Sequence, residues 1–273
     1  MCVITISREM GSAGTDIAQL LVREMDCTFL DRKTVEDVLE DHGIDKDRVK
    51  RYDERKPGFW DRIALSSDKY LHFLKAAVYD VAREGNCIIL GRGGQMVLGD
   101  LPGVLSVRIM AAKEKRLLRI RKKFECDTYF AEQIMNKSDR NRAGFHRFFF
   151  HAQWDAPDLY DMVINTSKMS VNSAAQMILH TKDLPQFRER EAYTKGELVN
   201  RSLAHEVETA LVYQAGIPLQ FLDIVADDGK VTIKGNTAST ESIKRVEEVA
   251  NQVDGVNEVV NHVKLMHFRY DRI

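Results

Sequence analysis

Four groups of residues have the types and spacing to handle phosphate. The first is Ser7-Arg8-Glu9-Met10-Gly11-Ser12-Ala13-Gly14 with Thr15 and Asp16 behind it. It is entered from the apolar run Val3 to Ile6 and left through Ile17, Leu20, Leu21 and Met25 at helical spacing. A strand, a glycine loop and a helix in succession favour a bound anion, because glycine lets successive N–H groups approach it and the helix N-terminus adds ~0.5 e of positive charge. An ordinary strand-to-helix turn capped by Thr15 or Asp16 looks the same, so the loop alone leaves both readings open. The second group is Cys87 to Leu90 running into Gly91-Arg92-Gly93-Gly94, which delivers an arginine at the end of an apolar strand. Open α/β sheets bind ligands at those ends. The third is Arg108 to Lys123, where eight basic residues face only Glu114. Arg116, Arg119 and Lys123 recur there at spacings that line one side of a helix, which suits a polyphosphate. RNA is the weaker competitor, since few aromatics are interleaved for base stacking. The fourth is Lys137-Ser138-Asp139-Arg140-Asn141-Arg142, followed by Phe145, Phe148, Phe149, Phe150 and Trp154, which read as core. Arg140 and Arg142 lie about 200° apart on a helix, so only one need face a phosphate, and Asp139 can anchor either by an ion pair.

The first loop departs from the G-x-x-x-x-G-K-[ST] pattern. Thr15 stands where the lysine follows the last glycine, and Asp16 where a hydroxyl binds magnesium. Arg8 is the nearest cation, and its guanidinium matches phosphate geometry bidentately.

The elements that position these groups follow from periodicity. Up to about residue 180, short apolar runs alternate with helical patterns, which predicts a parallel α/β sheet. The stretch from Thr181 to Gly196 is polar, contains Pro185 and lacks a sustained apolar period. It predicts a domain over 1–182, a linker over 183–195 and a second domain over 196–273. The 273 residues carry 40 Lys plus Arg against 41 Asp plus Glu, a net charge of −1, which removes any global attraction to nucleic acid. Cys2, Cys27, Cys87 and Cys126 form no C-x-x-C pair and have no clustered His, which argues against structural zinc and a disulfide framework. No secretory leader and no membrane span are expected, so the reading is a cytoplasmic protein.

Taken together, ITISREMGSAGTDIAQLL, FLDRK, GRGGQMVL, the basic helix, SDRNR and YDMVINTS resemble the cytidylate kinase-like family of P-loop nucleotide kinases over about residues 1–180. The resemblance implies a P-loop kinase-type parallel sheet with flanking helices and an arginine-rich lid. It places Gly11, Ser12, Ala13, Gly14, Thr15 and Asp16 on the phosphates of ATP, with magnesium and with Arg8 in place of the lysine. It places Asp31, Arg32 and Arg92 near the acceptor nucleotide. Arg116, Arg119 and Arg140 or Arg142 become lid or phosphate-clamp residues, and the magnesium ligand stays unassigned. From Leu198 onward GKVTIKG, a helix and VDGVNEVVN resemble a BON domain, a small α+β module associated with membranes, ligands or partner proteins. The expected function is transfer of the ATP γ-phosphoryl group to a nucleoside monophosphate, CMP or dCMP first. The alternative is a non-catalytic nucleotide sensor that signals through the BON-like domain to a partner or membrane surface. A homo-oligomer fits either reading.

Overall fold

The computed structural model describes residues 2–41 and 64–266, in two compact units, 1–195 and 196–273. The first unit contains strands β1 (Val3–Arg8), β2 (Thr28–Leu30), β3 (Cys87–Leu90), β4 (Val104–Met110) and β5 (Met162–Asn165). Among its helices are α1 (Gly14–Met25), α2 (Arg32–Asp41), α3 (Ala64–Arg83) and α4 (Gly94–Leu98). Further along are α5 (Lys113–Phe124), α6 (Thr128–Phe150), α7 (Val171–Lys182), α8 (Pro185–Arg188) and α9 (Glu191–Glu208), which crosses the division. The strands form one sheet in the order β2-β3-β1-β4-β5, every pairing parallel.

That order explains the sequence pattern. A parallel sheet covered on both faces needs strands that are apolar throughout, and Cys87, Ile88, Ile89 and Leu90 are all buried. Ile4, Ile6, Ile88, Leu90, Leu105, Val107 and Ile109 pack with Ile17, Ala18 and Leu21 of α1 and with Ala174, Ala175 and Ile178 of α7. β1 lies between β3 and β4, so the chain order reverses at β1, the place where a crevice opens beyond the carboxyl ends. The register pairs Ile6 with Leu90 and Arg8 with Ile109. The loop after β1 and the Gly91-Arg92-Gly93 turn after β3 therefore leave the sheet side by side, and Gly91 N–H donates to Ile6 O at 2.9 Å.

Residues 183–195, which the composition reads as a linker, contain α8 and the first residues of α9. α8 starts with Pro185 in its first turn, where the missing N–H costs nothing. Thr194 is fully buried and accepts from Gly103 N–H at 2.9 Å. A four-residue helix is too short to show an apolar period.

In the second unit, β6 (Gln220–Asp227) and β7 (Lys230–Thr237) form an antiparallel hairpin, while β7 and β8 (Glu258–Leu265) are parallel. The hairpin turn is Asp228-Gly229, both at positive φ, as the right-handed strand twist prefers. The crossover is α10 (Thr240–Ala250), capped by the Ser239 hydroxyl accepting from Ser242 N–H. Val231 and Ile233 of β7 pack with Val207, Leu211, Val246 and Val263 to form this unit's own core. Among the described residues no helix is long and apolar enough to cross a membrane.

Candidate active site

The loop between β1 and α1 is held almost entirely by its carbonyls. Arg116 Nε donates to Met10 O at 2.7 Å, Arg119 donates to Gly11 O at 3.3 Å, and the Thr166 hydroxyl donates to Ser12 O at 2.7 Å. Met10 N–H is taken by Asp139 Oδ1 at 2.9 Å, and Ser12 N–H turns back to Glu9 O. Among the described residues nothing accepts from the N–H groups of Gly11, Ala13, Gly14, Thr15 or Asp16. They converge at the start of α1, whose cap residue Ala13 sits at φ 64, and together with the helix dipole they suit an anion. Gly11 is required there twice over. Its φ is +78, and a Cβ would fall 2.8 Å from Arg116 O.

The charges beneath the loop form a chain. Arg108 is buried, stacked 4.3 Å from the Trp154 ring, and it pairs with Glu9 at 3.4 Å. Glu9 pairs with Arg116 at 3.3 Å, Arg116 pairs closely with Asp139, and Asp139 pairs with Arg142 at 3.0 Å. Glu9 also accepts from Ala111 N–H at 3.2 Å. Arg116 thus bonds Met10 O and the carboxylates of Glu9 and Asp139, and Arg119 bonds Gly11 O and Thr166. The contacts that the two arginines make go to the loop's backbone, Glu9, Asp139 and Thr166, so they hold the loop in shape. Arg140 is exposed and is not among the residues lining the cavity beside the loop, whereas Arg142 is, so the helix geometry that allowed only one of them inward selects Arg142.

Beside the loop lies a cavity of about 350 Å³ lined by Arg8, Arg32, Arg92, Lys137 and Arg142, with Trp154, Phe145 and His146 among its uncharged walls. None of its described lining residues is acidic. Arg8 runs between the two glycine turns. Its Cβ lies 2.5 Å from where a Gly14 side chain would start, and its guanidinium occupies the space of any side chain at Gly91. Its Nε is buried and has no hydrogen-bond partner among the described residues. Burial, then the neighbouring Arg142 and Arg92, lower its pKa to about 9, with Asp31 opposing. A buried guanidinium with two more cations beside it favours an anion. The turn that brings Arg92 in has Gly91, Arg92 and Gly93 all at positive φ, 76, 56 and 68, an uncommon strain for an arginine.

Asp31 and Arg32 open α2. Asp31 Oδ1 caps the helix, accepting from Lys33 N–H at 2.8 Å and Thr34 N–H at 3.2 Å. Arg32 pairs with Glu36 at 2.5 Å and lines the cavity. The sequence reading did not anticipate Glu9, Thr166, Trp154 or His146. Trp154 is more than core: its indole N–H donates to Ser7 Oγ at 2.8 Å while its ring walls the cavity. His146 Nδ1 faces Arg142 O at 2.9 Å, so it carries the proton, and Nε2 accepts from Gln95 at 2.7 Å. Burial lowers the His146 pKa to about 4. The signal for Thr166 was in the sequence, in YDMVINT, without anything to say that its hydroxyl reaches Ser12.

The sequence pattern of the cytidylate kinase-like family matches residues 3–168, more than half of the chain and every residue of the loop, turn and cavity. The chain belongs to the cytidylate kinase-like family. A BON domain matches residues 200–266. The chain is similar to the crystal structure of an uncharacterized protein from Eubacterium ventriosum, 23% identical with a TM-score of 0.53, covering 67% of this chain and 99% of that one. A shikimate kinase from Acinetobacter baumannii aligns at 14% identity with a TM-score of 0.38, over 66% of this chain and 92% of that chain. Among curated proteins, a uronate isomerase from Corynebacterium glutamicum is 27% identical over 104 residues, 38% of this chain. The chain spans only 20% of that isomerase.

Proposed function

We propose that the cytidylate kinase-like unit transfers the γ-phosphoryl group of ATP to a nucleoside monophosphate, with CMP and dCMP the first acceptors to test. The observation that carries this reading is the cationic cavity, free of acids among its described lining residues, beside a loop in which the N–H groups of Gly11, Ala13, Gly14, Thr15 and Asp16 have no acceptor among the described residues. A phosphate acceptor attacks through an oxygen that is already anionic near neutrality, its second pKa being ~6, so it needs cations and no base. An alcohol acceptor needs a carboxylate to receive its proton, as kinases of that kind supply. Cations without a lining acid support the first.

In this reading Gly11, Ala13, Gly14, Thr15 and Asp16 present N–H groups to the donor phosphates, and Arg92 and Arg142 hold the acceptor phosphate. Arg8, reaching from Gly14 to Gly91, lies between the two and stabilises charge on the group in transit. An acceptor oxygen bonds to the γ-phosphorus as its bond to the β-bridging oxygen breaks, and ADP leaves. Magnesium supplies charge neutralisation on the donor oxygens when bound. Glu9 and Asp139 are tied to arginines, while Asp16 is exposed at the helix start, so Asp16 is the carboxylate by the loop that fits a hard cation. The BON domain would carry a partner, ligand or membrane-surface contact, and a cytoplasmic location accords with ATP as donor.

The test is ADP release from ATP and magnesium with CMP, dCMP, UMP, AMP and GMP in turn, against a reaction without acceptor. One monophosphate should raise the rate at least tenfold. Nucleotide binding with no acceptor-dependent ADP would favour the sensor reading, for which the missing loop lysine is the observation.

A further inference from the structure

We infer that Asp139 couples the donor loop to the acceptor cavity, so that an anion in the cavity and a nucleotide on the loop bind cooperatively. The inference rests on the cavity and loop having those two roles, and goes beyond them in naming the residue that joins them. Asp139 sits on α6, and its two oxygens serve both sites at once. Oδ1 accepts from Met10 N–H of the loop at 2.9 Å and from Arg142 at 3.0 Å. Oδ2 takes Arg116, whose Nε in turn holds Met10 O at 2.7 Å. The Met10 backbone is therefore gripped at its N–H and its C=O by one ion pair, and the same carboxylate orients the arginine that lines the cavity.

The coupling has a definite sign. Burial and Arg116 lower the pKa of Arg142, while Asp139 and Glu9 raise it, and Arg142 is one of the charges that press on Arg8. An anion among Arg8, Arg92 and Arg142 relieves that repulsion and fixes Arg142. Asp139 is then held in the orientation that grips Met10, and the loop is ordered before the nucleotide arrives. Ordering already accomplished for one ligand need not be repeated for the next, which makes the cooperativity positive. Couplings of this kind are typically 5–150-fold, and equal in both directions.

The experiment measures the dissociation constant of AMP-PNP with magnesium by calorimetry, with and without inorganic phosphate as the cavity probe, in the full chain and in Asp139→Asn. Phosphate should tighten AMP-PNP at least fivefold in the unaltered chain and less than twofold in Asp139→Asn. Arg142→Gln, which leaves the Met10 contact in place, should lose the effect as well, with phosphate held tenfold above its own dissociation constant for each protein. It serves as the readout if Asp139→Asn does not fold. Unchanged AMP-PNP affinity with phosphate in the unaltered chain, or coupling that survives in either folded variant, would overturn the inference. AMP-PNP transfers no phosphoryl group, so coupling is read independently of turnover. A chain that shows coupling without acceptor-dependent ADP release loses the kinase reading and keeps this one.

Discussion

At the scale of single residues, the proposed kinase mechanism turns on Arg8. Its guanidinium is desolvated, pressed by Arg92 and Arg142, and reaches between the two glycine turns. Preorganised cations of this kind contribute two to three orders of magnitude in rate when removed singly, so Arg8→Ala should lower kcat about 10²–10³-fold with the thermal transition little changed. Steady-state kinetics beside calorimetry check this, and near-normal turnover would move the role to Arg92 or Arg142. His146 gives a pH prediction. Its folded pKa of about 4 lies below the ordinary 6.5, so the unfolded chain binds a proton that the native chain excludes. Stability from this group is complete above pH 6.5 and falls as pH drops toward 4, by about 3 kcal/mol in total. The difference in unfolding free energy between the unaltered chain and His146→Gln should narrow or reverse across that window, and a pH-independent difference would show that His146 is not buried neutral.

At the scale of elements, α5 and α6 are brackets for the loop between β1 and α1. The basic helix reads from sequence as a charged face turned toward a ligand, but its two inward arginines meet the loop from behind, Arg116 with its side chain 10% exposed. Removing one member of a buried ion-pair network leaves the others uncompensated. Arg116→Ala should therefore destabilise the first unit by about 3 kcal/mol, because Glu9 and Asp139 lose a shared partner. Arg140→Ala, at an exposed position, should stay within about 0.5 kcal/mol. Denaturant titration of the two variants side by side is the check, and equal effects would contradict the bracket role.

At the scale of the whole molecule, the two units have separate cores, and all the residues proposed to handle phosphate belong to the first. A fragment of residues 1–195 should fold and retain acceptor-dependent ADP release within about threefold of the full chain. The fragment ends beyond Thr194 because that residue is buried and bonded to Gly103; ending it near Leu184 removes a piece of the first unit's own packing. Circular dichroism and the ADP assay decide the matter, and a folded fragment without turnover would assign the BON domain a part in catalysis.

Much of this was legible in the residues alone. Val3 to Ile6 and Cys87 to Leu90 announced central parallel strands because both faces of such strands are buried, and Gly11 and Gly91 marked turns only glycine tolerates well. Asp139 as an anchor for a neighbouring arginine was also within reach of local helix geometry. Two kinds of information were not local. Which of Arg140 and Arg142 turns inward depends on the face α6 packs, and whether Arg116 meets a phosphate or a carbonyl depends on α5 lying against a loop more than a hundred residues earlier in the chain. The short elements escaped as well, since β2 with three residues and α8 with four complete no period. Charge type and spacing specify what a side chain can bind; only the packing of distant segments decides which partner reaches it first, and here tertiary structure spent Arg116 and Arg119 on the loop and left Arg8, Arg92 and Arg142 facing the cavity.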